Sequence, residues 1–123
     1  MPAYNFKERF AADVEAGRKR QTIRRKRKRP TKPGDVLYLY VGMRTKRCRK
    51  LGEATCKSVE PILIMGLYNI TLYPEDNERR RALSGPEIDQ LALDDGFASA
   101  AELERFFWKE LPFKGEIIRW EAI

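Results

Sequence analysis

The sequence predicts an α+β fold, a small β-barrel of short, curved strands flanked by helices. Three observations carry this. Runs rich in β-branched and aromatic residues occur at 36–42, 51–59 and 61–73, separated by turn-forming or basic segments. Two S-x-x-E boxes, Ser84/Glu87 and Ser99/Glu102, each open a stretch with helical apolar spacing. Strands and helices do not alternate regularly, which argues against a wound parallel sheet, and short strands broken by a glycine fit a small barrel. A length of 123 residues with 42% hydrophobic content suggests one domain, 1–123, with one modest core.

Taken in order, Phe6, Phe10 and Val14 recur four residues apart among charged neighbours and predict a first helix, with Gly17 at its C-terminal end. The basic stretch GRKRQTIRRKRKR (17–29) follows, and its continuation through Pro30, Pro33 and Gly34 predicts an exposed, mobile loop. VLYLYVG (36–42) is a strand, MRTKRCRK (43–50) a second basic loop, and LGEATCKSV (51–59) another strand. PILIMGLYNITLY (61–73), interrupted by Gly66, predicts a bulged or bent strand pair, and PEDNERRR (74–81) a surface turn. The helix capped at Ser84 carries Ile88, Leu91 and Ala92 on one face and ends at Gly96; the helix capped at Ser99 carries Leu103, Phe106, Phe107 and Leu111. GEIIRWEAI (115–123) closes the chain as a strand.

The charge is sharply segregated. Of a net +7, residues 18–50 hold 15 basic and 1 acidic side chains, while the flanking segments are net negative. Such a field points to a polyanionic partner, most simply RNA or another nucleic acid. The chain has no histidine, which removes Ser-His and Cys-His nucleophile pairs and the common histidine-containing zinc sites. No metal and no cofactor are expected. The two cysteines, Cys48 and Cys56, lack CxxC spacing and read as free thiols of a reducing cytosol, hence a cytoplasmic protein. No apolar run reaches bilayer-spanning length, and MPAYNFKERF does not read as a signal peptide. A monomer is expected.

Several motifs stand together in a familiar order: GRKRQTIR (17–24), GDVLYLY (34–40), LGEATC (51–56), DDGFASAAELERFF (94–107) and GEIIRW (115–120). Over nearly its full length the chain resembles the ASCH-domain family of the PUA-like superfamily. The resemblance implies a compact PUA-like barrel with a cleft for RNA or a nucleotide-like ligand. One branch of the family removes the acetyl group of N4-acetylcytidine with a Lys, a Thr three residues later and a Glu before the C-terminal helix. The matching positions are Lys19, Thr22 and Asp95, the last an aspartate in place of the glutamate. Ribonuclease activity is also attributed to part of the family.

If the site is catalytic, Thr22 is the nucleophile and Lys19 its base, its pKa lowered by burial and by the cations Arg18, Arg20, Arg24 and Arg25. Asp95 orients Lys19 or hands a proton to the leaving amine, and Arg24 faces an acyl oxygen or a phosphate. Arg25, Lys26, Arg27, Lys28 and Arg29, with Arg44, Lys46, Arg47, Arg49 and Lys50 from the second basic loop, have no role in that scheme and read as phosphate contacts. The leading expectation is therefore an RNA-binding domain with a basic cleft that also accepts a modified nucleoside. An N4-acetylcytidine amidohydrolase and a ribonuclease are the alternatives.

Overall fold

The chain enters its sheet before it forms a helix. In the computed structural model, which describes residues 2–73 and 80–121, Ala3–Phe6 is strand β1 and Glu8–Glu15 is helix α1. Phe6 thus belongs to a strand. It lies level with Val41 in a parallel ladder, and its ring meets Trp120 edge-on at 6.1 Å. Its spacing from Phe10 imitates a helical stripe, while the stripe of α1 itself is Phe10, Ala11 and Val14. Past α1, Gly17 takes φ +77°. The Gly17 N–H reaches the Val14 carbonyl (3.1 Å) and the Arg18 N–H that of Asp13 (2.9 Å), the paired bonds of a Schellman end.

Gln21–Arg24 form β2, Val36–Val41 β3 and Arg49–Gly66 β4. β4 is one strand of 18 residues where two were expected. Its start pairs with β3 (Val36↔Thr55 to Val41↔Arg49), and its later part with β7, Phe113–Trp120 (Cys56↔Trp120 to Ile64↔Phe113). Pro61 is tolerated because the strand on its other edge, β5 (Asn69–Leu72), ends with Leu72 opposite Ile62, so the missing N–H falls just past the ladder, and its carbonyl accepts from the Tyr73 N–H at 3.0 Å. Register shifts near Leu39, Cys56 and Ile64 bend the sheet. The turn expected over 74–81 lies largely outside the described residues; Arg81–Ala82 form β6 beside β5.

Both predicted caps form. Ser84 caps α2 (Gly85–Asp94) in a complete capping box with Glu87. Ser99 caps α3 (Ala100–Phe107), where the Glu102 side chain reaches the Ala98 N–H instead of the cap's own. A single 3-10 turn, Trp108–Glu110, follows. The buried residues form one cluster, in which Leu37, Ile62, Ile64, Ile88, Leu103, Ile117 and Ile118 are almost fully enclosed. Each contributes roughly 1.5–3 kcal/mol of burial.

The architecture is α+β, as expected, but the sheet does not close into a barrel. Among the described residues β1 pairs only with β3, and β2 only with β7. Across the seam between β1 and β2, guanidinium groups take the place of a backbone ladder: Arg24 donates to the Asn5 carbonyl (2.5 Å) and Arg27 to that of Ala3 (3.0 Å). Both rest on the Tyr4 ring, at 5.5 and 5.3 Å. The basic loop after β2 is consequently anchored where a mobile one was expected. Besides Arg27, Thr31 is buried and shares a 2.6 Å hydrogen bond with the Tyr4 hydroxyl, and the Gly34 N–H reaches the Cys56 carbonyl at 2.8 Å.

Candidate functional site

The open seam holds a cleft of about 350 Å³. One side is built by Asn5, Phe6, Lys7 and Phe10, the other by Thr22, Ile23, Arg24 and Arg25, and the remainder by Phe97, Phe106, Phe107, Glu110 and Phe113. The phenylalanines contact one another edge-on or tilted, with Phe10–Phe97 at 5.4 Å, Phe97–Phe106 at 5.3 Å and Phe107–Phe113 at 4.7 Å. Of these rings Phe106 is partly exposed, and the others are buried and give the cleft an apolar wall.

Two helix ends bring the polar residues to this cleft. The Schellman turn after α1 delivers Lys19, whose own N–H also bonds the Asp13 carbonyl at 3.0 Å. The end of α2 repeats the device. Gly96 at φ +92° lets the Phe97 N–H reach the Ala92 carbonyl (2.9 Å) and places Asp95 as the residue that caps the C-terminal end of the helix. A side chain at Gly96 would also fall 2.9 Å from the Phe10 ring and 3.2 Å from the Lys19 stem. Lys19, 2% exposed, donates to the Asp95 carbonyl at 2.6 Å and lies 3.4 Å from Asp95 Oδ2. Its ammonium also sits 4.9 Å from the Phe10 ring centre and 5.7 Å from that of Phe6. Burial pushes the Lys19 amine below the ordinary lysine range, against the pull of Asp95. Burial pushes the Asp95 carboxyl above the ordinary aspartate range, against Lys19 and Gln21. Each partner restrains the other's loss of charge.

Thr22 is buried, and its Oγ1 accepts from Arg24 Nε at 2.9 Å. Lys19, Thr22, Asp95, Arg24 and Arg25 therefore all line the one cleft. Lys19 is committed to Asp95, and Arg24 is the hydrogen-bond partner of Thr22. Asp95, at the end of α2, is both a helix terminus and an ion-pair partner. Glu53 is not at the cleft; it is exposed on β4 and pairs with Lys50 at 3.1 Å.

The other predicted cations divide. Arg25 pairs with Glu110 at the cleft mouth (3.3 Å), Arg49 with Glu15 (2.7 Å) and Lys50 with Glu53. Arg27 is spent on the seam. Arg18 and Arg20 face a second groove with Lys57 and Arg119, but Asp94 and Glu121 line it too, and Asp13 and Glu60 hold Arg18 and Arg119. Lys26 is exposed and lies near Glu116. Lys28, Arg29, Arg44, Lys46 and Arg47 are exposed and make no ion pair among the described residues. They are the cations best placed to meet phosphate.

Sequence reasoning missed Gln21. It is 4% exposed, and its amide donates to Asp95 Oδ1 at 3.1 Å. A glutamine one position before Thr22 carries no local signal of a partner 74 residues away. Among the described residues no cluster of three His, Cys, Asp or Glu side chains is arranged to hold a metal ion, and no helix is long and apolar enough to cross a membrane. Comparison with protein-family models, curated proteins and solved structures finds no match to this chain.

Proposed function

We propose that the chain is an ASCH-like, PUA-related domain that binds RNA by seating one base, plain or modified, in the seam cleft. The carrying observation is the meeting of Lys19 and Asp95, 76 residues apart, inside an aromatic-lined cleft of about 350 Å³. The rings supply stacking surface, worth about 1–3 kcal/mol per base. Lys19, Asp95, Thr22 and Arg24 supply donors and acceptors for a base edge. Lys28, Arg29, Arg44, Lys46 and Arg47 supply phosphate contacts outside it. With about five phosphates of a single strand neutralised, log K falls with log salt at a slope of roughly −3.5. Fluorescence anisotropy with a labelled RNA oligomer measures this. Reversing Lys28 and Arg29 to Glu weakens binding and flattens the slope; salt-indifferent binding would contradict the reading.

A second reading, hydrolysis of an N4-acylated cytidine, is favoured by one contact. The Arg24 Nε–H donated to Thr22 Oγ1 stabilises negative charge on that oxygen and leaves the hydroxyl proton free to depart. In that scheme the Thr22 oxygen attacks the acyl carbon and Lys19, as neutral amine, takes the proton. The base amine leaves with a proton returned by the Lys19–Asp95 pair, and water then releases the acid from Thr22. Acetate release from N4-acetylcytidine that disappears in Thr22→Ala supports this reading. Shortening of the labelled RNA instead indicates a nuclease.

A further inference from the structure

Gln21 contacts the acidic member of the buried pair but is absent from the cleft lining; it lines the groove behind. Its role therefore runs through Asp95. The Asp95 carboxylate has two oxygens and two partners. Oδ1 receives the Gln21 amide at 3.1 Å, and Oδ2 lies 3.4 Å from Lys19 Nζ. The Asp95 carbonyl takes a further Lys19 hydrogen at 2.6 Å. Rotation of the carboxylate out of this plane would break the Gln21 contact, so the amide holds the plane in which one oxygen, here Oδ2, faces the amine.

We propose that Gln21 is a positioning residue that locks the Asp95 carboxylate with Oδ2 toward Lys19 and so governs the protonation of the amine in the cleft. A hydrogen bond to a carboxylate favours its ionised form, and an ionised Asp95 holds the proton on Lys19. The charged groups facing Lys19 are Asp95 from the end of α2, Arg24 from β2 and Asp13 from α1. Those facing Asp95 are Lys19 and Arg24. Arg24 opposes the proton on Lys19 and favours ionised Asp95, so the neutral Gln21 amide is the uncharged contact that tips the balance. The inference concerns the protein alone and stands whichever ligand the cleft takes.

The test needs no ligand. Protein with isotope-labelled lysine is titrated by NMR, with the Lys19 signal assigned by its loss in Lys19→Arg. In Gln21→Leu the Lys19 titration moves to lower pH, because Asp95 loses the donor that favours its charge. In Gln21→Glu an added carboxylate beside Asp95 moves it to higher pH. Gln21→Asn, one methylene short of the contact, follows Gln21→Leu and serves if the leucine variant does not fold. Lys19 titrating at one pH in all these proteins, even with reduced stability, assigns Gln21 a packing role only and overturns the proposal. A shift to higher pH in Gln21→Leu overturns it as well.

Discussion

Lys19 carries its amine to a position where only 2% of the residue meets solvent, and Asp95 is 4% exposed. Neither charge is tolerable there alone, since removing one partner of a buried pair leaves the other uncompensated at a cost of about 3–5 kcal/mol. Lys19→Met is therefore expected to lower stability by about 3 kcal/mol, and Asp95→Leu by a similar amount. The double variant Lys19→Met/Asp95→Leu should lose much less than the sum, because the uncompensated charge is gone. Urea denaturation of the four proteins measures this, and additive losses would show that the two residues act independently. At this scale the sequence named Lys19, Thr22 and Asp95 through a motif, and the cleft unites them. It paired Lys19 with Asp95 but did not name Arg24 as the partner of Thr22 or Gln21 as that of Asp95. Arg24 is two residues from Thr22, a distance at which many basic side chains lie, and Gln21 meets its acceptor only because α2 ends beside β2.

The elements were readable where the signal is local. Ser84 with Glu87, Ser99 with Glu102, and Gly17 and Gly96 after their helices all stand where their chemistry places them. The α2 box also fixes a pH response. Hydrogen bonds from Arg81 and then from the Ser84 backbone hold the Glu87 carboxyl down at about 2, against an ordinary 4.5. The folded value lies below the unfolded one, so the stability Glu87 contributes is complete above the ordinary glutamate range and is lost as pH falls through about 2. Carboxyl-carbon NMR should find a Glu87 midpoint near 2 and a rise toward the ordinary value in Arg81→Gln. An unmoved midpoint would show that Arg81 is not the cause. Non-local pairing was not readable. Phe6 has helical spacing but a strand neighbour, Val41, 35 residues on. Pro61 reads as a break until it is known that β5 ends opposite Ile62. Barrel closure depends on whether β1 meets β2, and two guanidinium groups bridge the seam where it does not.

For the molecule as a whole, the positive field of residues 18–50 resolves into three populations. Some cations build the fold, as Arg24 and Arg27 do along the seam. Others are neutralised, as Arg25, Arg49 and Lys50 are by Glu110, Glu15 and Glu53. A third set, Lys28, Arg29, Arg44, Lys46 and Arg47, is exposed and makes no ion pair among the described residues. Net charge suggests a polyanion, but only the placed carboxylates indicate which cations are left unpaired among the described residues. The failure of the barrel to close and the presence of the cleft are one fact, since a backbone ladder from β1 to β2 would run through the space between Asn5, Phe6 and Thr22–Arg24 that the cleft occupies. The central claim is that this seam receives a base. NMR of labelled protein titrated with a short RNA tests it most directly. The account predicts that signals of Thr22, Phe97 and Phe106 shift together with those of Lys28, Arg29 and Lys46, and that Thr22→Trp, which fills the cleft, abolishes the Phe97 and Phe106 shifts while sparing much of the second set. Shifts confined to the basic loops, with the cleft signals unmoved, would contradict it.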